Sequence, residues 1–165
     1  MGTPVFPDGS TAQGGTGQDV DGIPCANPLV DTYHIHVHLS LIFDGTQATV
    51  PIAVGIKDPA YLSDVERFAN GGSCIYWIHT HDETGIVHVE APQAGTYTLG
   101  QFFDIWGEPL STTNVAGHEG AQTIYVDGQV YDGDPRQIVF APHMQITIEV
   151  GTPISPPTYR FPDGY

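Results

Sequence analysis

The run from Tyr33 to Phe43, YHIHVHLSLIF, alternates with period two, and that alternation constrains the fold more than any other feature of the chain. Successive side chains of a strand point to opposite faces, so only an extended conformation sorts these residues cleanly. One face collects Ile35, Val37, Leu39, Leu41 and Phe43, which is a core face. The other collects His34, His36, His38, Ser40 and Ile42. Asp44-Gly45 follows at once, a pair suited to a two-residue hairpin turn because both positions tolerate positive φ. The returning strand is expected to reach about Gly55, with Phe43 opposite Thr46, Leu41 opposite Ala48 and Leu39 opposite Val50.

Two more hairpins can be read. One runs from Cys74 to Glu90 and turns in Asp82-Glu83-Thr84-Gly85; the other turns at Asp127-Gly128 within Thr123 to Tyr131. In the first of these, an even-length loop sets His79 opposite His88 and Trp77 opposite Glu90. Tyr76, Ile78, Val87 and Val89 then share the buried face, whereas an odd loop would expose them. A last strand covers Met144 to Val150. Helices are expected to be short: one over Thr98 to Trp106, with Thr98 as its cap, and another over Pro59 to Phe68. The fold class that follows is mainly β, an antiparallel β-sandwich or a β-grasp-like sheet with one or two short helices.

Length and punctuation divide the chain. At 165 residues it suits one domain. Residues 1–22 are rich in Gly and Pro and read as a flexible extended leader; residues 152–165 read as a Pro-rich extended tail. Between them, residues 23–151 form a single β-rich domain. Phe6-Pro7-Asp8-Gly9 recurs as Phe161-Pro162-Asp163-Gly164, an echo that arises either by chance or because both ends dock in similar grooves.

Charge excludes several functions. Nineteen acidic residues against four basic ones give a formal net charge of −15, which repels phosphate backbones and anionic lipid. No apolar stretch has the length of a membrane helix. Neither a nucleic acid nor a membrane is therefore expected as partner. Cys25 and Cys74 form no CxxC pair and are read as one disulfide, in keeping with a secreted, periplasmic or cell-surface setting.

Six of the eight histidines fall in two short segments. His79 and His81 share a strand face and His88 lies across from His79, so three imidazoles converge closely enough to share an ion. His34, His36 and His38 form a second alternating set. The expected metal ligands are His79, His81 and His88, followed by His36, His34 and His38. Asp82, Glu83 and Glu90 are nearby carboxylates, and His118 and His143 stand apart in loops. Nitrogen-rich ligation suits copper first and zinc next.

The segments YHIHVHL, YWIHTHD and TLGQFFDIWG resemble those of an uncharacterised family of secreted bacterial and archaeal proteins, over about Gly22 to Val150. The resemblance implies an extracytoplasmic home and brings no activity. Tyr76 to His81 is also similar to the copper-binding HxH segments of multicopper oxidases and cupredoxins, although this chain lacks their His-Cys-His segment. The expected function is transition-metal binding for sequestration or delivery, and the reading leans away from an enzyme. One alternative is a structural subunit of a fibre or surface layer, a homo-oligomer joined through the N-terminal segment with a metal that stiffens the domain. The other is a metal-dependent hydrolase or hydratase, or a copper oxidase, with Glu83, Asp82 or Glu90 as base.

Overall fold

The computed structural model describes residues 2–9, 15–63 and 67–165. In chain order its strands are β1 (Cys25–Ala26), β2 (Tyr33–Phe43), β3 (Thr46–Ala48), β4 (Ile56–Lys57), β5 (Ala60–Tyr61), β6 (Ala69–Gly71), β7 (Cys74–Tyr76), β8 (Ile78–His79) and β9 (Ile86–Ala91). After helix α1 (Leu99–Trp106) come β10 (Asn114–Val115), β11 (His118–Glu119), β12 (Gln122–Val126), β13 (Gln129–Val130) and β14 (Gln145–Val150). The protein is mainly β, as its alternation predicts, with one α-helix among the described residues.

The principal sheet runs β13-β12-β14-β2-β9-β8, with β3 folded back on β2. β2 is central because its alternation continues over 11 residues, long enough to pair with β9 and β14 on its two edges. The Asp44-Gly45 turn gives the expected register, Phe43 to Thr46 and Leu41 to Ala48. The returning strand stops at Ala48, so Leu39 does not pair with Val50; its N–H instead donates to the Gly85 carbonyl at 2.8 Å. The Asp127-Gly128 hairpin is present, pairing Val126 with Gln129. The pairing of β14 with β2 is parallel, with Ile146 beside Leu39 and Ile148 beside Leu41.

In-register partners share a face. Ile35, Val37, Leu39 and Leu41 therefore line up with Val87 and Val89 of β9 and with Ile146 and Ile148 of β14. These residues join Leu99, Phe102, Phe103 and Trp106 of α1 in one buried cluster. α1 begins where Thr98 and Gln101 form a reciprocal capping box and ends at Gly107, whose φ of 81° is readily adopted by glycine. Among the described residues of Pro59 to Phe68 the expected helix is not found. Ala60–Tyr61 forms a strand with Ala69–Gly71, and Leu62 N–H donates to Phe68 O at 3.0 Å; residues 64–66 of that span lie outside the described residues. Asp58, at φ 47° and immediately before Pro59, turns the chain away from a helical start.

The opposite face of the sheet is also covered, and this positions the site. Ser40, Ile42, Thr147 and Glu149 are buried there; the C-terminal segment lies over part of this face, with Ile154 N–H donating to Glu149 Oε2 at 3.2 Å and residues 156–159 beside Ser40 and Thr147. Gln145 holds that segment as a backbone partner would: its Nε2 donates to Tyr159 O at 3.0 Å and its Oε1 accepts from Tyr159 N–H at 2.8 Å. The described part of the N-terminal segment also lies on its own chain. Thr3 bonds to Gln47 and Thr49, Gly9 to Ile52, and Phe6 packs edge-on against Trp106 at 5.1 Å. Phe161 meets His143 and Tyr159 instead, so the two Phe-Pro-Asp-Gly copies have unlike surroundings. A disulfide joins Cys25 to Cys74 and ties β1 to β7.

Candidate metal centre

Three cross-strand rows build the site on the polar face of β2, β9 and β8. His36 of β2 lies opposite His88 of β9, and His88 lies opposite His79 of β8. One row along, His34 lies opposite Glu90, whose backbone N–H donates to Trp77 O at 2.8 Å. One row in the other direction, His38 lies opposite Ile86. The even-length turn thus sets His79 against His88, and it does so because Ile78 and Val89 must share the core face.

The segment after β8 is held from the opposite side. Between the two histidines, Thr80 accepts from Val54 N–H at 3.0 Å through its hydroxyl and donates that hydroxyl to Pro51 O at 2.8 Å. Thr80 N–H donates to Val54 O and its carbonyl accepts from Ala53 N–H. Gly55 has to be glycine: at φ 76°, an added Cβ would stand 2.6 Å from Ile78 O and 3.2 Å from the Cβ of His79. This fully bonded support fixes the direction of His79 and His81.

Both rings are oriented through Nδ1. His79 Nδ1–H donates to Tyr76 O at 2.8 Å, and His81 Nδ1–H donates to Ala69 O at 2.5 Å. His81 is further gripped by Ala69 N–H, which donates to its carbonyl at 2.7 Å, and by Phe68, stacked on the ring at 4.9 Å. A carbonyl can only accept, so each Nδ1 carries the proton and each Nε2 presents a bare lone pair. These two Nε2 atoms face one another at 3.0 Å. In the neutral rings neither can donate, and the contact is repulsive unless a cation lies between them. An ion 2.0–2.1 Å from each nitrogen in tetrahedral geometry asks for a separation of about 3.3 Å, within a small adjustment of the one present.

Glu90 stands at the centre of the group. Its Oε1 lies 3.2 Å from His34 Nε2, 3.4 Å from His88 Nδ1 and 3.8 Å from each of His79 Nε2 and His81 Nε2. Burial alone would raise its carboxyl; the His81 and His88 rings, with His79 and His34, outweigh it and hold Glu90 ionised far below the usual carboxylate range. The histidines respond in the opposite sense. Burial pulls His79 down to about 3 and His36 to about 4, the latter helped by the neighbouring His88 and His34. His88 is also lowered, again by burial first. Its Nδ1 is buried, with Glu90 Oε1 3.4 Å away but poorly aligned for a hydrogen bond. Neutral imidazoles around an ionised carboxylate are the protonation states a transition metal requires.

Two donor sets with ligand atoms mutually within 4.8 Å result: His79, His81, His88 and Glu90, and His34, His36 and His88. His38 belongs to neither. Its Nε2–H donates to Thr84 O at 3.0 Å, and Tyr159 stacks on its ring at 3.7 Å. His118 stacks on Phe43 at 3.6 Å, away from the cluster; His143 stands at its edge, its backbone N–H donating to His36 O and its Nε2–H to Tyr165 O, each at 2.8 Å, and it joins neither donor set. Of the nearby carboxylates, Asp82 Oδ1 caps the turn at Thr84 N–H and Glu83 pairs with Arg67. Sequence reasoning missed the orienting carbonyls of Tyr76 and Ala69, which no side-chain pattern marks. It also missed Tyr165, whose ring lies 4.7 Å from His36 and 5.9 Å from His88.

Comparison with known proteins finds no match to this chain among family models, curated proteins or solved structures.

Proposed function

We propose that this chain is an extracytoplasmic transition-metal-binding protein, with copper preferred and zinc next, that sequesters or delivers the ion. The observation that carries the reading is the pair of bare Nε2 lone pairs of His79 and His81, 3.0 Å apart beside the ionised Glu90. Ligating histidines generally donate their other ring N–H to a carbonyl or carboxylate, and both rings here do so. Three nitrogens and one carboxylate oxygen suit a borderline ion, and among divalent ions Cu(II) heads the affinity order.

The disulfide supports an oxidising compartment, and no helix among the described residues is long and apolar enough to cross a membrane. His79 is fully buried and His88 nearly so, which favours holding an ion over presenting it to a substrate. When bound, the metal would supply positive charge between His79, His81, His88 and Glu90; the chain's own part is to hold the rings neutral and aimed.

The test is metal content by mass spectrometry on protein purified without a chelating column and then dialysed with Cu(II) or Zn(II). Wild type is expected to retain metal stoichiometrically, and His79→Ala/His81→Ala is expected to lose the ion held by that pair. Wild type without metal after either incubation would overturn the proposal.

A further inference from the structure

The cluster offers more donors than one ion accepts. Five imidazoles and a carboxylate converge across three strands, whereas copper or zinc is typically satisfied by about four ligands. The donors also divide spatially. His79 and His81 gather on the β8 side of β9; His34 and His36 gather on its β2 side, their rings 4.5 Å apart; Glu90 stands between, its Oε1 3.2 Å from His34 Nε2 and 3.8 Å from the Nε2 atoms of His79 and His81. His88 alone belongs to both sets. The ladder requires this: β9 is the middle strand of the three, and His88 has a histidine directly across from it on each flank. Its ring is placed almost symmetrically, 4.5 Å from His36 and 4.6 Å from His81, at 90° and 83° to them.

We propose that the site holds two ions, one bound by His79, His81 and Glu90 and the other by His34 and His36, with the ring of His88 as the ligand they share. This rests on the metal-binding reading above and extends it to nuclearity. Imidazole carries one nitrogen on each side of its Cε1, so a ring between two ions can serve both. When the second ion binds, the N–H proton of His88 leaves to solvent and the ring becomes an imidazolate. The two ions then sit about 6 Å apart, the sum of two metal–nitrogen bonds and the width of the ring. The His34 side is the open one: that side chain is 38% exposed, against 0% for His79. The second ion therefore enters last and leaves first, and the ion beside His79 stays longer.

The experiment is a Cu(II) titration of the full chain, with bound copper counted by native mass spectrometry and unpaired spins counted by electron paramagnetic resonance. Wild type is expected to bind two equivalents, with a spin count well below two at low temperature because the shared ring couples the ions. His34→Ala/His36→Ala is expected to bind one equivalent with one full spin. Two equivalents with two independent spins in wild type would overturn the shared ligand while leaving two sites. One equivalent in wild type, unchanged in the His34/His36 variant, would overturn the second ion and leave the metal-binding reading standing. No bound copper would remove both. The wild-type spin count decides the matter even if a variant fails to fold.

Discussion

Acidifying the metal-free protein from pH 6.5 to pH 5 should remove a large part of its stability. His36 and His38 are held near 4 and His79 near 3, in each case chiefly by burial, against about 6.5 in an unfolded chain. Between these values the unfolded state binds a proton at each position and the folded state does not. The folded state therefore loses ground as pH falls through 6.5, and continues to do so until the folded values are reached. Because the unfolded imidazole is half protonated at pH 6.5, each group contributes about 1.6 kcal/mol between pH 6.5 and pH 5. Three groups together remove roughly 5 kcal/mol, comparable with the whole stability of a marginal domain. Burial raises the carboxyl of Glu149, which acts in the opposite sense and offsets part of the loss. The assay is urea unfolding followed by circular dichroism at half-unit pH steps, after chelation and dialysis. His38→Gln should lower the slope by about one proton, because the amide can still donate to Thr84 O while nothing titrates. A stability flat between pH 6.5 and pH 5, or a His38→Gln slope equal to wild type, would show that these histidines do not stay neutral in the fold.

Other perturbations have equally direct readouts. Replacing Cys25 and Cys74 by serine opens a loop closed over 49 residues and should cost about 4 kcal/mol in denaturant unfolding; a loss below 1 kcal/mol would contradict it. Gly85→Ala places a Cβ 2.6 Å from Leu39 O at φ 87°, and thermal unfolding should show a loss of at least about 2 kcal/mol. Gln145→Ala removes both hydrogen bonds to Tyr159, worth about 1 kcal/mol each, and should speed amide exchange around Tyr159 well before the sheet itself opens.

The parts of the fold that were legible in the sequence are those written in short-range pattern. The alternation of Tyr33 to Phe43 gives a strand with a sorted core face. Asp44-Gly45 and Asp127-Gly128 give their hairpins, and Thr98 gives the start of α1. The pairing of His79 with His88 was also accessible, since only an even turn keeps Ile78 and Val89 buried together. What the pattern leaves open is long-range. No local signal makes β14 run parallel to β2, because that pairing joins segments about 100 residues apart. Nor does the alternation reveal that the histidine face would be covered, which depends on Gln145 binding the backbone of Tyr159. The orientation of His81 depends on the Ala69 carbonyl, and a backbone group leaves no mark in a residue string. Where a helix over Pro59 to Phe68 is expected, the left-handed Asp58 and the pairing of Ala60 with Gly71 direct Ala60 and Tyr61 into a strand.

Binding of an ion between His79 Nε2 and His81 Nε2 can be seen in a crystal soaked in Cu(II) or Zn(II) and measured on both sides of the metal absorption edge. An anomalous peak is expected within about 2.1 Å of both nitrogens and within reach of Glu90 Oε1. Anomalous density absent from that position, with the two nitrogens still 3.0 Å apart, would contradict it.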